Sequence, residues 1–430
     1  MRIASLRVCL PHARVCLVLL AVLFGGSVGL ADEWPQFRGP NGSGRYEGEK
    51  PLPTTWSADG GIRWQVELPG RGASSPAVYG DRLVVTAYTG YGLDAENVGD
   101  PADLRLHVLC FDRHTGEKEW QTTFAGGGST PAATPRRIDH GFATPTAALD
   151  ASGVYVYFGV NGLYALDWDG SKRWEHRREA GTKGFGTATS PILHGTLVIQ
   201  NQSIEGGPLA AFDKVSGQQQ WAADGIDAAW STPTILLTEA GDPELVMNHK
   251  NRVRGFNPNT GEELWSCEGI DDYVVPVVVG DRGRAYCFGG RQNRTLAIRL
   301  GGRGDVTVTH REWMVTRGAN VTSPVLHENK LFCVHDKALW LVLDATDGRE
   351  IVRERLPYRS RVYPSLVYGD GKLYAQTRDA GLLVLKAQTQ YEELAANVLE
   401  PETLWNAGPA LVDGTIYLRS DAFLYAIGEK

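Results

Sequence analysis

The sequence predicts an all-β fold: an eight-bladed β-propeller with four-stranded antiparallel blades, its ring closed by an N-terminal strand joining the C-terminal blade. Three observations carry this. A phrase of Asp or Asn, two variable residues, Ser or Thr, Gly, three more residues and Trp recurs as DRHTGEKEW (112–120), DKVSGQQQW (213–221) and NPNTGEELW (257–265), with a shorter DWDGSKRW at 167–174. Eight short apolar runs each open at a Pro, usually beside Ser or Thr: Pro76, Pro145, Pro191, Pro233, Pro276, Pro324, Pro364 and Pro409. After a first interval of 69 residues these starts lie 40–48 residues apart, the length of one propeller blade. Finally, the eighth unit ends after three strand-like runs, and GGIRWQVEL (60–68) near the other end has the form of a missing fourth strand. Closure by that segment would leave no open sheet edge in the ring.

The first 31 residues stand apart. Arg2, Arg7 and Arg14 precede an apolar run from Val15 to Phe24, and Gly29 and Ala31 are small residues before a plausible cut at Asp32. They predict a removed export signal (1–31) ahead of the propeller (32–430), with a periplasmic or secreted location. The apolar run is short for a membrane span, and no Cys stands at its end where a lipid anchor would attach. Removing three Arg and no acid takes the formal charge from −7 to −10, which argues against nucleic acid or anionic lipid as partner.

Within each unit the strands follow in order. The third reads PILHG, TLVIQ, PLAAFD, the turn KVSG and QQQW, short apolar stretches separated by turn residues. The turn Asp or Asn is expected to accept hydrogen bonds from backbone two residues on, the Gly to supply positive φ, and the Trp to pack on the neighbouring blade. Trp64, Trp120, Trp174, Trp221, Trp265 and Trp313 are thus expected to dock blades. Units six and seven lack this Trp. The long interval in unit one is a polar insertion at Thr89–Leu104, long enough to suggest a ligand or partner role. Tyr391–Leu399 alone suits a helical turn or two. Cys110, Cys267, Cys287 and Cys333 are irregularly spaced within apolar runs, which suits buried thiols, although export would permit pairing.

Residues just before each first strand should surround the central funnel: Arg71, His140, Lys183, Asp227, Trp230, Asp271, Asp272, Tyr273, Asn320, Arg359, Arg361, Trp405 and Asn406. Asp227, Asp271 and Asp272 together would suit a hard cation or acid–base work, or are simply solvated. His140 is a candidate base, Trp230 a stacking surface, and Arg359 with Arg361 a clamp for a carboxylate. A second polar set falls between second and third strands: Asn161, His249, Lys250, Asn251, Arg291, Gln292, Asn293, His335, Asp336, Lys337, Arg378 and Asp379. No nucleophile triad, zinc, phosphate-loop or EF-hand pattern is present in the sequence.

The Trp-bearing fourth strand after the D-x-x-T-G turn resembles the quinoprotein-like family of eight-bladed propellers, from about Trp34 to the C-terminus. The opening WPQFRGPNGSG (34–44) resembles exported propellers that carry quinone-type repeats. One branch of the family implies a pyrroloquinoline quinone dehydrogenase with calcium or a lanthanide. That branch is expected to carry an adjacent Cys-Cys pair, a metal-binding Glu and Asn, and a catalytic Asp; there is no Cys-Cys here and no matching motif for the metal ligands. The other branch is non-enzymatic and includes the lipid-anchored propeller of the outer-membrane β-barrel assembly machinery. The resemblance implies a non-enzymatic envelope scaffold binding protein or peptide without a cofactor. The alternatives are a divergent quinone-dependent alcohol or sugar dehydrogenase, and a glycan-binding module using Trp230 and Trp405.

Overall fold

The computed structural model describes residues 33–58, 60–227, 229–399 and 403–429; the expected export signal lies outside them. Eight antiparallel sheets follow one another along the chain. Blade three shows the plan. Its strands Ile192–His194, Leu197–Asn201, Leu209–Asp213 and Gln219–Ala223 pair in sequence order. The short first strand lies nearest the axis. The second strand and most of the third are buried because neighbouring blades cover both faces.

Ring closure follows the sequence expectation. Ile62–Glu67 forms the outer strand of blade eight, with Trp64 opposite Ala426 and Val66 opposite Leu424. One chain end thereby finishes the blade begun at the other, and the joint cannot open without breaking that ladder.

The recurring phrase forms the joints. Asp112 Oδ1 accepts from the amides of His114 and Thr115 at 2.9 and 2.8 Å, and Asp213 Oδ1 repeats this with Val215 and Ser216. Each joint Trp reaches the turn of the next blade, its indole N–H donating to a backbone carbonyl. Trp64 bonds Arg113, Trp120 bonds Trp168, Trp174 bonds Lys214, Trp221 bonds Pro258 and Trp313 bonds Ala345, at 2.9–3.3 Å. The turn glycine is required twice over. Gly217 has φ +71°, and a Cβ there would lie 2.7 Å from the Trp174 ring.

Trp265 departs from the expected docking role. It is buried but stays within blade four, donating to Glu244 Oε2 at 2.8 Å. Blade five has no tight Gly turn for it to meet. A longer connection places Gly304–Asp305 parallel to Trp265–Ser266 as a fifth strand on blade four. Blade six, without a fourth-strand Trp, uses Trp340 of its third strand, whose N–H reaches Thr389 O of blade seven at 3.3 Å. Between blades seven and eight the N-terminal segment fills the joint: Trp56 N donates to Asn397 Oδ1, and Asn397 Nδ2 to Thr54 O.

Two further expectations change. Glu393–Asn397 is a strand rather than a helical turn, because the third strand Leu382–Lys386 needs a ladder partner. The insertion after Thr89 folds over the connection between blades one and two; the amide of Ala133 donates to Tyr91 Oη, and the Tyr91 ring lies 5.4 Å from Phe142. The four cysteines described are buried free thiols. No helix among the described residues is long and apolar enough to cross a membrane.

The axis is closed on one side. Trp34 pairs with Val78 of blade one, Pro35 O accepts from Leu149 N of blade two, and Gly44 and Tyr46 bond Tyr368 of blade seven. Between these contacts Phe37 lines the central cavity and Arg38 is buried beneath it, so the opening WPQFRGPNGSG segment stoppers the ring. The propeller is a cup rather than a channel.

Candidate functional site

The cup encloses a cavity of about 310 Å³ on the axis, within the range of small-ligand sites. Its floor is a wreath of hydroxyls from the Ser and Thr beside the opening prolines. Ser75 N donates to Thr146 Oγ1, Thr146 N to Ser190 Oγ and Ser190 N to Thr232 Oγ1, each at 3.0 Å. Val277 N to Ser323 Oγ, Ser323 N to Ser365 Oγ and Gly408 N to Ser75 Oγ continue it at 3.1 Å. The wreath lacks a hydroxyl at Val277 and Gly408. Extended residues next to Pro present their amides round the axis, and hydroxyls small enough to fit there satisfy them.

Above the floor stand aromatic walls from five blade connections. Phe185, Trp230 and Tyr273 form a triangle with centroids 5.8–6.2 Å apart, and His140 lies 6.3 Å from Phe185 and 5.7 Å from Tyr363. Trp230 Nε1 donates to Gly186 O, and Asn320 Nδ2 to Tyr273 Oη, fixing both rings. Burial pushes the His140 imidazole below its ordinary value, so it is neutral at pH 7. Among the described residues that line the cavity, Asp336 is the one carboxylate and none is Lys or Arg.

Thus His140, Trp230, Tyr273, Asn320 and Asn406 of the expected ring do converge. The rest do not. Arg71 pairs with Asp421 at 3.4 Å in a separate cleft that Trp405 also lines; Trp405 is buried and stacked on Tyr425, which removes it as a glycan platform. Lys183 and Asp227 face each other at 3.9 Å. Asp271 binds Arg294 and Asp272 binds Arg291, each at 2.9 Å, so the three expected metal carboxylates are held by separate cations. Among the described residues no three His, Cys, Asp or Glu converge as a metal site. Arg359 is exposed on the rim, and Arg361 donates to Tyr363 Oη at 3.1 Å from outside the cavity.

Phe185, Tyr363 and the hydroxyl floor were not identified from the sequence as funnel lining; the Ser/Thr–Pro pattern was the available signal for the floor. Of the second polar set, Asp336 enters the cavity, while Arg291 and Arg378 stand on the Tyr273 and Tyr363 rings at 4.6 and 5.0 Å. Others hold turns or neighbouring connections. Asn251 and Asn293 take positive φ, His249 accepts from Asp227 N, and Asn161 accepts from Gly127 N.

A pyrroloquinoline quinone fits these residues poorly. Its carboxylates would need cations, and the lining offers none. Arg359 and Arg361 lie outside the cavity, and no Cys borders it.

Behind the wall, Glu205 is buried and accepts from Tyr157 Oη at 2.8 Å and from Thr187 Oγ1, whose residue lines the funnel. Burial pushes its carboxyl up to about 7 from 4.5, opposed by those hydrogen bonds. The folded state holds this proton where the unfolded chain has lost it, so stability is full below pH 4.5 and falls as pH rises through about 7. The expected loss is on the order of 3 kcal/mol. Melting curves between pH 5 and 8 should show it, and Glu205→Gln should flatten the dependence.

Comparisons place this ring among known proteins. The profile of the family described as outer membrane protein assembly factor BamB matches residues 104–313 and 249–421. No curated protein is matched. Many solved structures share the fold, three of them as follows. BamB from Moraxella catarrhalis is 14% identical, covering 86% of this chain and 97% of that one with a TM-score of 0.58. The quinohemoprotein alcohol dehydrogenase from Comamonas testosteroni is 11% identical, covering 94% and 82% at 0.65. A europium-containing methanol dehydrogenase is 10% identical, covering 93% and 98% at 0.61. Identities this low carry the architecture and leave the chemistry open. With overlapping profile matches over more than half its length, the chain belongs to the family of outer membrane protein assembly factor BamB.

Proposed function

We propose that this protein is an exported, non-enzymatic scaffold of the cell envelope that docks a protein partner on its funnel face. The observation that carries this is on the rim. Arg136, Arg359 and Arg361 are exposed there with no ion-pair partner among the described residues, while neighbouring charges such as Arg291 and Arg378 are matched by carboxylates. Unpaired guanidiniums on a rigid face of an acidic protein suit an acidic segment. Family membership and the export-signal pattern support the same setting.

Reversing all three charges (Arg136→Glu, Arg359→Glu, Arg361→Glu) should weaken a cross-linked or co-purified envelope partner by about tenfold or more. Wild-type binding should also weaken with salt. A wild-type protein that recovers no reproducible partner, or a triple variant that recovers it unchanged, would refute the reading.

A further inference from the structure

The floor and walls of the cavity define a ligand more narrowly than the rim does. Ser75, Ser190, Thr232, Ser323 and Ser365 each spend an oxygen lone pair on a neighbouring backbone amide. Among the described hydrogen bonds none of these hydroxyls donates its own proton to the protein, and all five line the cavity. The floor is therefore a converging set of donors. Asp336 in the wall adds a carboxylate acceptor, its Oδ1 lying 3.1 Å from His335 Nδ1, and Trp230, Tyr273 and Phe185 provide apolar faces.

Charge narrows the choice. An organic anion would meet no Lys or Arg in the lining and would face the Asp336 carboxylate. A cation would pass a rim where Arg136, Arg291 and Arg378 already occupy the π faces of Phe185, Tyr273 and Tyr363, at 5.9, 4.6 and 5.0 Å. A wholly apolar ligand would strip water from the hydroxyl protons and Asp336 without replacing its bonds. A neutral ring with hydroxyls that both donate and accept, and with an apolar C–H face, satisfies all of these groups.

We propose that the cup binds one neutral sugar ring, either as a free monosaccharide or as the terminal residue of a glycan. Terminal recognition follows from the stopper: Phe37 closes the far end, so a chain cannot thread through and only an end residue reaches the floor. The inference is separate from the protein partner, since the sugar ring would contact the floor and walls of the cavity and none of the rim arginines.

Calorimetry with glucose, galactose, mannose and N-acetylglucosamine tests the free-sugar arm, and a glycan array displaying the same rings at terminal and internal positions tests the other. Saturable binding to at least one terminal or free ring is expected, with internal rings silent. Trp230→Ala and Asp336→Asn should each weaken it by about tenfold or more, at melting temperatures that confirm folded protein. Asp336→Asn keeps the test valid if Trp230→Ala does not fold. Absence of binding in both arms overturns the proposal. So does binding that Asp336→Asn leaves unchanged, or selective uptake of benzoate or choline in place of sugars.

Discussion

Arg38→Met is expected to lower the melting temperature sharply, by an amount equivalent to about 4 kcal/mol. The Arg38 side chain is 3% exposed, and its guanidinium donates to Gly42 O, Ser43 O, Leu366 O and Pro324 O at 2.6–3.2 Å. Burial, only partly opposed by Cys333, pulls its pKa down to about 9, a measure of how far it is removed from water. Methionine keeps the stem but leaves those four carbonyls without their donors, two in the stopper and two in blades six and seven. Lysine should not rescue, because one ammonium cannot span acceptors that a planar fork reaches. Urea titration of the three proteins checks this, and a change in stability below about 1 kcal/mol for Arg38→Met would show that the stopper is held by other contacts.

Trp174→Ala should cost about 4 kcal/mol, in the range for truncating a buried aromatic. Trp174 is 9% exposed, donates to Lys214 O at 3.0 Å and lies against Gly217 of the next blade. Gly217→Val attacks the same contact from the other side, through both the φ of +71° and the approach of its Cβ. Because both changes remove one joint, the double variant should be much less destabilised than the sum of the two, which a double-mutant cycle measures. Additive effects would mean that Gly217 serves its turn and not the joint.

These joints were legible because every blade solves the same local problem. In the first four blades an Asp or Asn, a positive-φ Gly and a Trp recur where the third and fourth strands meet and the next blade must be covered. Where a neighbour departs from the pattern the reading fails, as at Trp265. Its expected target turn was replaced by the connection that carries Gly304–Asp305. Trp340 was unmarked for a related reason. It docks from a third strand, outside the repeated phrase, and only packing shows that it reaches Thr389.

The candidate site was half visible. Loop position before each first strand predicted that His140, Trp230, Tyr273, Asn320 and Asn406 would meet, and they do. The same rule placed Arg71, Asp227, Asp271, Asp272, Arg359 and Arg361 in the funnel, where none of them lines the cavity. Charged side chains in those loops turned outward to water or to each other, since entering an apolar cup unpaired would cost several kcal/mol.

The ring was thus readable from the chain alone: the eight units and the five joints made by the repeated phrase follow from chemistry local to one repeat, and the three-strand ending of the last unit pointed to the segment that completes it. Tertiary structure alone decided the cup. Its stopper, hydroxyl floor and aromatic walls come from segments far apart along the chain, and beyond the Ser/Thr–Pro repeat of the floor they share no pattern except arrival at the axis. Ring closure brings them together, and burial then sorts which side chains stay inside.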